Sequence, residues 1–156
     1  MYRMLGAALV ALAFAGAPHA QPTIGDATDM QTLRQAVKSD KRALVASTMG
    51  FNDAEARKFW PIYDAYQRSL DMASRERSVA AETLLSRDRA MSNLAAKSLA
   101  TQTLSADEIE MKARRTMFNR LMRALPAVKV ARYMQLESKI RATQAYDIAQ
   151  AFPLVN

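Results

Sequence analysis

The chain of 156 residues contains no cysteine, a single histidine and only four glycines. Without cysteine it can form neither a disulfide nor a lipid-anchored leader, so packing must stabilise the fold. One histidine, His19, and no cysteine exclude the ligand clusters of common transition-metal sites. The methionines are scattered along the chain rather than clustered, which is typical of packing. We therefore expect no metal and no cofactor.

The motifs of common catalytic sites are also missing. Beyond residue 20 there is no His or Cys for a nucleophile system, and no Gly-rich phosphate loop or Ser-centred elbow. Three neighbouring acids, Asp107, Glu108 and Glu110, follow a possible helix start at Ser105, where they complement the helix dipole. The sequence therefore predicts a protein that is not an enzyme.

Residues 1–20 have the features of a secretory signal peptide. Arg3 supplies a positive charge, an apolar run of 13 residues follows, and APHA precedes Gln21. The run is too short to span a membrane, although an uncleaved anchor or a core helix remains the alternative. Residues 21–28 contain Pro and Gly and are predicted to be a disordered linker. The expected location is the periplasm.

The net charge is +7, or +6 once Arg3 is removed with the leader. A basic chain suits an anionic partner, which could be nucleic acid, a membrane surface, or an acidic or unfolded polypeptide. Export argues against nucleic acid.

Scarce glycine and abundant Leu, Ala, Met, Arg, Lys and Glu favour helix over sheet. Residues 29–156 are predicted to form one all-α domain of four helices. The first is the weakest and is expected to pack loosely, with Thr28 as its cap and Gly50 as its stop. The third is predicted to be continuous through Thr103, with a break near that residue as the alternative. The predicted helices run from Asp29 to Thr48, from Asp53 to about Asp88, from about Asn93 to Ala124, and from Pro126 towards Pro153.

The second helix has the clearest pattern. Asn52 and Glu55 have capping-box spacing, and Pro61 predicts a bend about two turns later. Its apolar row has near-heptad spacing, interrupted by Arg77, which suits long antiparallel helices packed side by side. The row comprises Ala56, Phe59, Tyr63, Tyr66, Leu70, Ala73, Ala80 and Leu84. A helix of about 50 Å suggests an elongated or dimeric protein.

Two helix starts resemble each other at an offset of 74 residues: Phe51-Asn52-x-x-Glu55 and Leu125-Pro126-x-x-Lys129. Convergence on good helix starts could explain this. At these places the chain resembles the Spy/CpxP group of small periplasmic helical proteins, which have paired Leu-Thr-x-x-Gln motifs at helix starts. The segments FWPIYDAY, KVARYMQLESKI and FPLV are similar to exported proteins related to that group. The resemblance implies a cradle-shaped antiparallel homodimer whose concave, basic face holds unfolded proteins without ATP.

The stretch from Met111 to Leu136 contains seven basic residues and no acid. A cationic surface with flexible apolar side chains can attract and hold disordered segments. The alternative is a solvated face over a packed core. The candidate client-binding residues are Lys112, Arg114, Arg115, Met117, Arg120, Met122, Arg123, Lys129 and Arg132.

The sequence thus predicts a periplasmic, ATP-independent, chaperone-like protein that binds unfolded or misfolded polypeptides during envelope stress. Two alternatives stay open. The resemblance to the Spy/CpxP group implies a possible regulatory partner of a sensor kinase's periplasmic domain, and the basic surface suits a structural protein of the envelope surface that binds anionic lipid.

Overall fold

The computed structural model describes residues 29–85, 91–152 and 154–155. These residues form four helices: α1 (Met30–Met49), α2 (Asp53–Leu85), α3 (Asn93–Ala124) and α4 (Ala127–Ala151). No strand occurs among them, so the all-α, four-helix prediction is confirmed. The predicted signal peptide, the predicted linker, and the predicted ends of the second helix near Asp88 and of the fourth at Pro153 lie outside the described residues.

The start of α2 has the predicted capping box. The amide of Glu55 donates to the side-chain oxygen of Asn52 (2.9 Å), and the amide of Asn52 donates to the Glu55 carboxylate (3.1 Å). These two bonds satisfy backbone donors that a helix start otherwise leaves without a partner. The helix continues through Pro61, whose ring is exposed.

The predicted long helical hairpin consists of α2 and α3, which pack together more extensively than any other pair of helices. Arg77 of α2 forms ion pairs with Asp107 and Glu110 of α3, while residues nearer the start of α2 meet residues nearer the end of α3, so the two helices are antiparallel. Buried side chains recur every seven residues on both helices. They are Tyr66, Ala73 and Ala80 on α2, and Leu99, Ala106 and Ala113 on α3.

Both ends of α3 agree with the sequence. The Ser92 side chain accepts from the amide of Ala95 (3.3 Å), and the helix continues through Thr103 as predicted. It ends at Leu125, whose extended backbone (φ −134°, ψ 158°) is the conformation favoured before proline. Pro126 is the N-cap of α4 rather than its first helical residue, a shift of one position.

Helix α1 is not the loosely packed element that the sequence predicts, because Leu33, Leu44 and Val45 are fully buried. Asp29, not Thr28, caps its start, and Gly50 ends it in the left-handed conformation (φ 52°), as expected. The helix is also interrupted at Asp40, whose backbone is extended and whose side chain accepts from the amide of Ala43 (2.9 Å).

The α1 and α4 helices are antiparallel and cover one side of the hairpin. Arg34 of α1 pairs with Asp147 near the end of α4, while Lys129 near the start of α4 reaches the end of α1. The core between the two layers is aromatic: the ring of Phe59 packs edge-on against that of Tyr133, with centroids 4.9 Å apart. The side of the hairpin that faces α1 and α4 is called the covered side below, and the opposite side the open side.

Candidate functional site

A groove on the open side of the hairpin contains part of the predicted client-binding set. It has a volume of about 550 Å³, and all of its described lining residues belong to α2 or α3. Lys112, Met117 and Arg120 of the predicted set line it. The other lining residues are Ile62, Ala65, Tyr66, Arg68, Ser69, Met72, Ile109, Ala113 and Thr116.

The floor of this groove is apolar. Met117 and Tyr66 are buried at its base, while Met72 is half exposed at its edge. These side chains lie beside the residues through which α2 and α3 contact each other. Residues three, four and seven apart lie on one face of a helix, so each helix presents a row of them to the groove. An unbranched thioether adapts its shape to different partners, so this floor can contact varied apolar side chains.

Three cations border the groove: Arg68, Lys112 and Arg120. None of them forms an ion pair with another described residue, and no acid is among the described residues that line the groove. None of these three positive charges is therefore held by an ion pair with a described acid. Such a groove attracts a ligand with a negative charge and an apolar portion.

The remaining predicted residues do not line this groove. Arg123 lies eleven residues after Lys112, so helical geometry places it near the same edge of α3, one turn beyond the groove. Arg115 and Met122 are exposed on a different face of α3, Arg114 is partly buried, and Arg132 is exposed on α4. The structure thus distributes the predicted set over several faces.

Lys129 has structural partners. Its ammonium group donates to the carbonyl oxygens of Met49 (3.3 Å) and Gly50 (3.1 Å), and it lies 3.4 Å from the Glu55 carboxylate. Carbonyl groups at a helix C-terminus lack helical partners and carry partial negative charge. Lys129 therefore links the end of α1 to the starts of α2 and α4.

The sequence interpretation missed the α2 side of the groove. Arg68 and Met72 belong to it, but neither was in the predicted set. Ile62 with Ser69, and Ala65 with Met72, are spaced by seven residues beside the main apolar row, which is the available sequence signal. That signal identifies a groove only once the partner helix is known.

Glu137, also missed, is completely buried. Its carboxylate accepts from the hydroxyl groups of Tyr66 (2.7 Å) and Tyr133 (3.3 Å). Burial raises the pKa of Glu137, and the positive charge of Lys41 offsets this in part. Burial likewise lowers the pKa of Lys41, whose ammonium group donates to Gln67 (2.9 Å). Glu137 lines neither described groove, so its position fits a polar network within the core.

A second cavity, of about 260 Å³, lies on the covered side between α2, α3 and α4. Its charges are matched: Glu110 accepts from both Arg77 and Arg141. Burial alone would raise the pKa of Glu110, but the two guanidinium groups together lower it. This charged cluster holds three helices together and leaves no cation at its centre for a ligand.

Among the described residues, no group of three or more His, Cys, Asp or Glu side chains could hold a metal ion. None of the helices in the described ranges is long and apolar enough to cross a membrane. Comparison with profiles of known protein families, with curated proteins and with solved structures found no match. The resemblance to the Spy/CpxP group stays a prediction carried by the helix starts at Phe51 and Leu125.

Proposed function

We propose that the protein binds unfolded or misfolded polypeptide segments in the open-side groove and catalyses no reaction. The observation that carries this proposal is the combination of an apolar, methionine-containing floor with three cations that lack acidic partners among the described residues. An unfolded segment with acidic and apolar residues complements both parts.

The two parts of the groove have different roles. Arg68, Lys112 and Arg120 accelerate the encounter with acidic segments, since electrostatic attraction acts before contact. Met72, which is half exposed, then contacts apolar side chains above the buried Met117, and its flexibility tolerates different client sequences. Because the sequence lacks a phosphate-binding loop, clients would bind and leave without nucleotide hydrolysis. In the periplasm, where the first 20 residues predict the protein to be, this would be a chaperone-like role in envelope stress.

The direct test is suppression of aggregation of a reduced model client at a near-stoichiometric ratio. We expect suppression at low salt that weakens as salt rises, because exposed charges are screened beyond about 10 Å at ~0.1 M salt. The absence of suppression at low salt would overturn the proposal.

Charge reversal then locates the site. The double variant Lys112→Glu/Arg120→Glu should lose suppression, since both substitutions place acids at the groove. The matched control is Arg57→Glu/Arg75→Glu, which changes net charge equally at exposed positions of α2 outside the groove. Equal losses in the two variants would show that net charge, and not the groove, is responsible.

The same material separates the two alternative roles. Specific capture of one sensor-kinase periplasmic domain, without suppression of aggregation, would favour the regulatory role. Co-sedimentation with anionic vesicles, again without suppression, would favour the envelope-surface role.

A further inference from the structure

Helix α3 has a second apolar row, on the face opposite its buried one. Leu104, Met111 and Phe118 recur every seven residues, and Met122 follows four residues later. Their exposed fractions are 64%, 56%, 38% and 44%. At about 100° per residue the row lies roughly 160° from Ala113, which faces α2. Large apolar side chains at heptad spacing are the pattern that a helix buries against another helix.

We propose that this outer row binds a second copy of the chain, with the two α3 helices antiparallel about a two-fold axis at Met111. The spacing of the row is symmetric about that residue: Leu104 lies seven residues before it and Phe118 seven after. In this arrangement Leu104 is level with Phe118 of the second copy, and Met111 meets its own equivalent. A two-fold interface requires such self-complementarity.

The outermost pair fits the same register. Ala100 lies eleven residues before Met111, on the same face of α3, and Met122 lies eleven after it. A small side chain of one copy is therefore level with a long one of the other. Alternation of small and large residues across a contact allows two helices to interdigitate.

Charges beside the row distinguish antiparallel from parallel pairing. Glu108 and Arg115 are seven residues apart and lie on the same side of the row. Neither forms an ion pair with a described residue of its own chain. The antiparallel register brings Glu108 next to Arg115 of the second copy, and the two-fold axis forms this pair twice. Parallel pairing would place Arg115 of the second copy on the opposite flank of the interface from Glu108, so neither of these pairs could form.

This interface is distinct from the proposed client groove. The outer row faces away from α2, whereas the groove lies between α2 and α3 on the open side. Association through the row therefore leaves the groove accessible, and neither proposal depends on the other.

The register is testable by cross-linking, because a chain without cysteine accepts single reporter cysteines. Met111→Cys should form a disulfide-linked dimer under mild oxidation. An equal mixture of Leu104→Cys and Phe118→Cys should form mainly the mixed dimer. The control is Val128→Cys, at an exposed α4 position away from the row, which should stay monomeric in denaturing gels. Preferential self-linking of Leu104→Cys, or linking at Val128→Cys as efficient as at Met111→Cys, would overturn the proposal.

Light scattering after size exclusion tests the charges. Glu108→Arg and Arg115→Glu should each raise the dimer dissociation constant about tenfold, because each breaks two weak pairs and adds repulsion. The double variant Glu108→Arg/Arg115→Glu should recover most of the dimer. The interface would be contradicted if light scattering found the parent chain monomeric at every concentration at which it is soluble. It would also be contradicted if neither single charge reversal changed the dimer dissociation constant. Helical circular dichroism checks that each variant is folded, and the client assay on the same variants reports separately on the groove.

Discussion

The two sides of the α2–α3 hairpin use charged residues differently. On the covered side Glu110 joins Arg77 and Arg141, and Arg34 pairs with Asp147. On the open side Arg68, Lys112 and Arg120 have no ion-pair partner among the described residues. A charge that holds helices together needs a fixed partner, whereas a charge that attracts a ligand must remain free. The contrast separates the cations of the fold from the cations available for binding.

The largest expected effect is on the covered side. Phe59→Ala removes a fully buried ring that contacts Phe51, Trp60, Tyr63 and Tyr133. We expect a loss of about 3–5 kcal/mol in the free energy of unfolding, because the ring's burial is lost and a cavity remains. Denaturant titration measures this change.

The control for this prediction lies on the open side. Met72→Ala should change stability by no more than about 0.5 kcal/mol, since Met72 is half exposed in the groove. Similar losses for both variants would remove the distinction between the two sides.

A smaller effect is expected from Glu110→Gln, which removes the charge shared by Arg77 and Arg141. We expect a loss of about 1–3 kcal/mol at neutral pH, because two partly buried guanidinium groups lose their counter-charge. The pKa of Glu110 is lowered in the folded protein, so its contribution is present above the unfolded pKa and disappears as pH falls through the folded pKa. The difference between variant and parent should therefore shrink in acid. Glu76→Gln, at an exposed position of α2, is the control and should change the free energy of unfolding by no more than about 0.5 kcal/mol.

The smallest effect, and one of opposite sign, is expected from Glu137→Gln. Burial raises the pKa of Glu137 in the folded protein. Its contribution to stability is therefore present below the unfolded pKa and is lost as pH rises through the folded pKa. A neutral amide keeps a similar shape without that charge. Relative to the parent, the variant should gain stability as pH increases, as measured by thermal unfolding at several pH values. A gain that grows towards low pH would contradict the assigned pKa direction.

Features that depend on neighbouring residues could be predicted from the sequence. The Asn52–Glu55 capping box, the stop at Gly50 and the break before Pro126 are each determined within a few residues, and all three are present. The heptad spacing of α2 also predicted the hairpin, because a long regular row has to face a second one.

Features that depend on distant residues could not be predicted. Glu137 lies four residues after Tyr133 and three before Ile140 on the buried face of α4, but its partner Tyr66 is 71 residues away. Arg68 joins Lys112 and Arg120 only through the register between α2 and α3. Lys129 is predicted from the sequence to bind clients, but its ammonium group instead contacts Met49 and Gly50, which are about 80 residues distant in sequence.

The interruption of α1 at Asp40 gives this helix two units that can open separately. Only Leu33 is fully buried before the break, whereas Leu44, Val45 and Met49 are buried after it. In a continuous helix, unfolding of the first turn spreads through successive backbone hydrogen bonds. Here the Asp40 side chain caps the second unit and stabilises its first turn independently of the first unit. Amide hydrogens of residues 33–39 should therefore exchange with solvent faster than those of residues 44–49, since opening the first unit exposes less apolar surface.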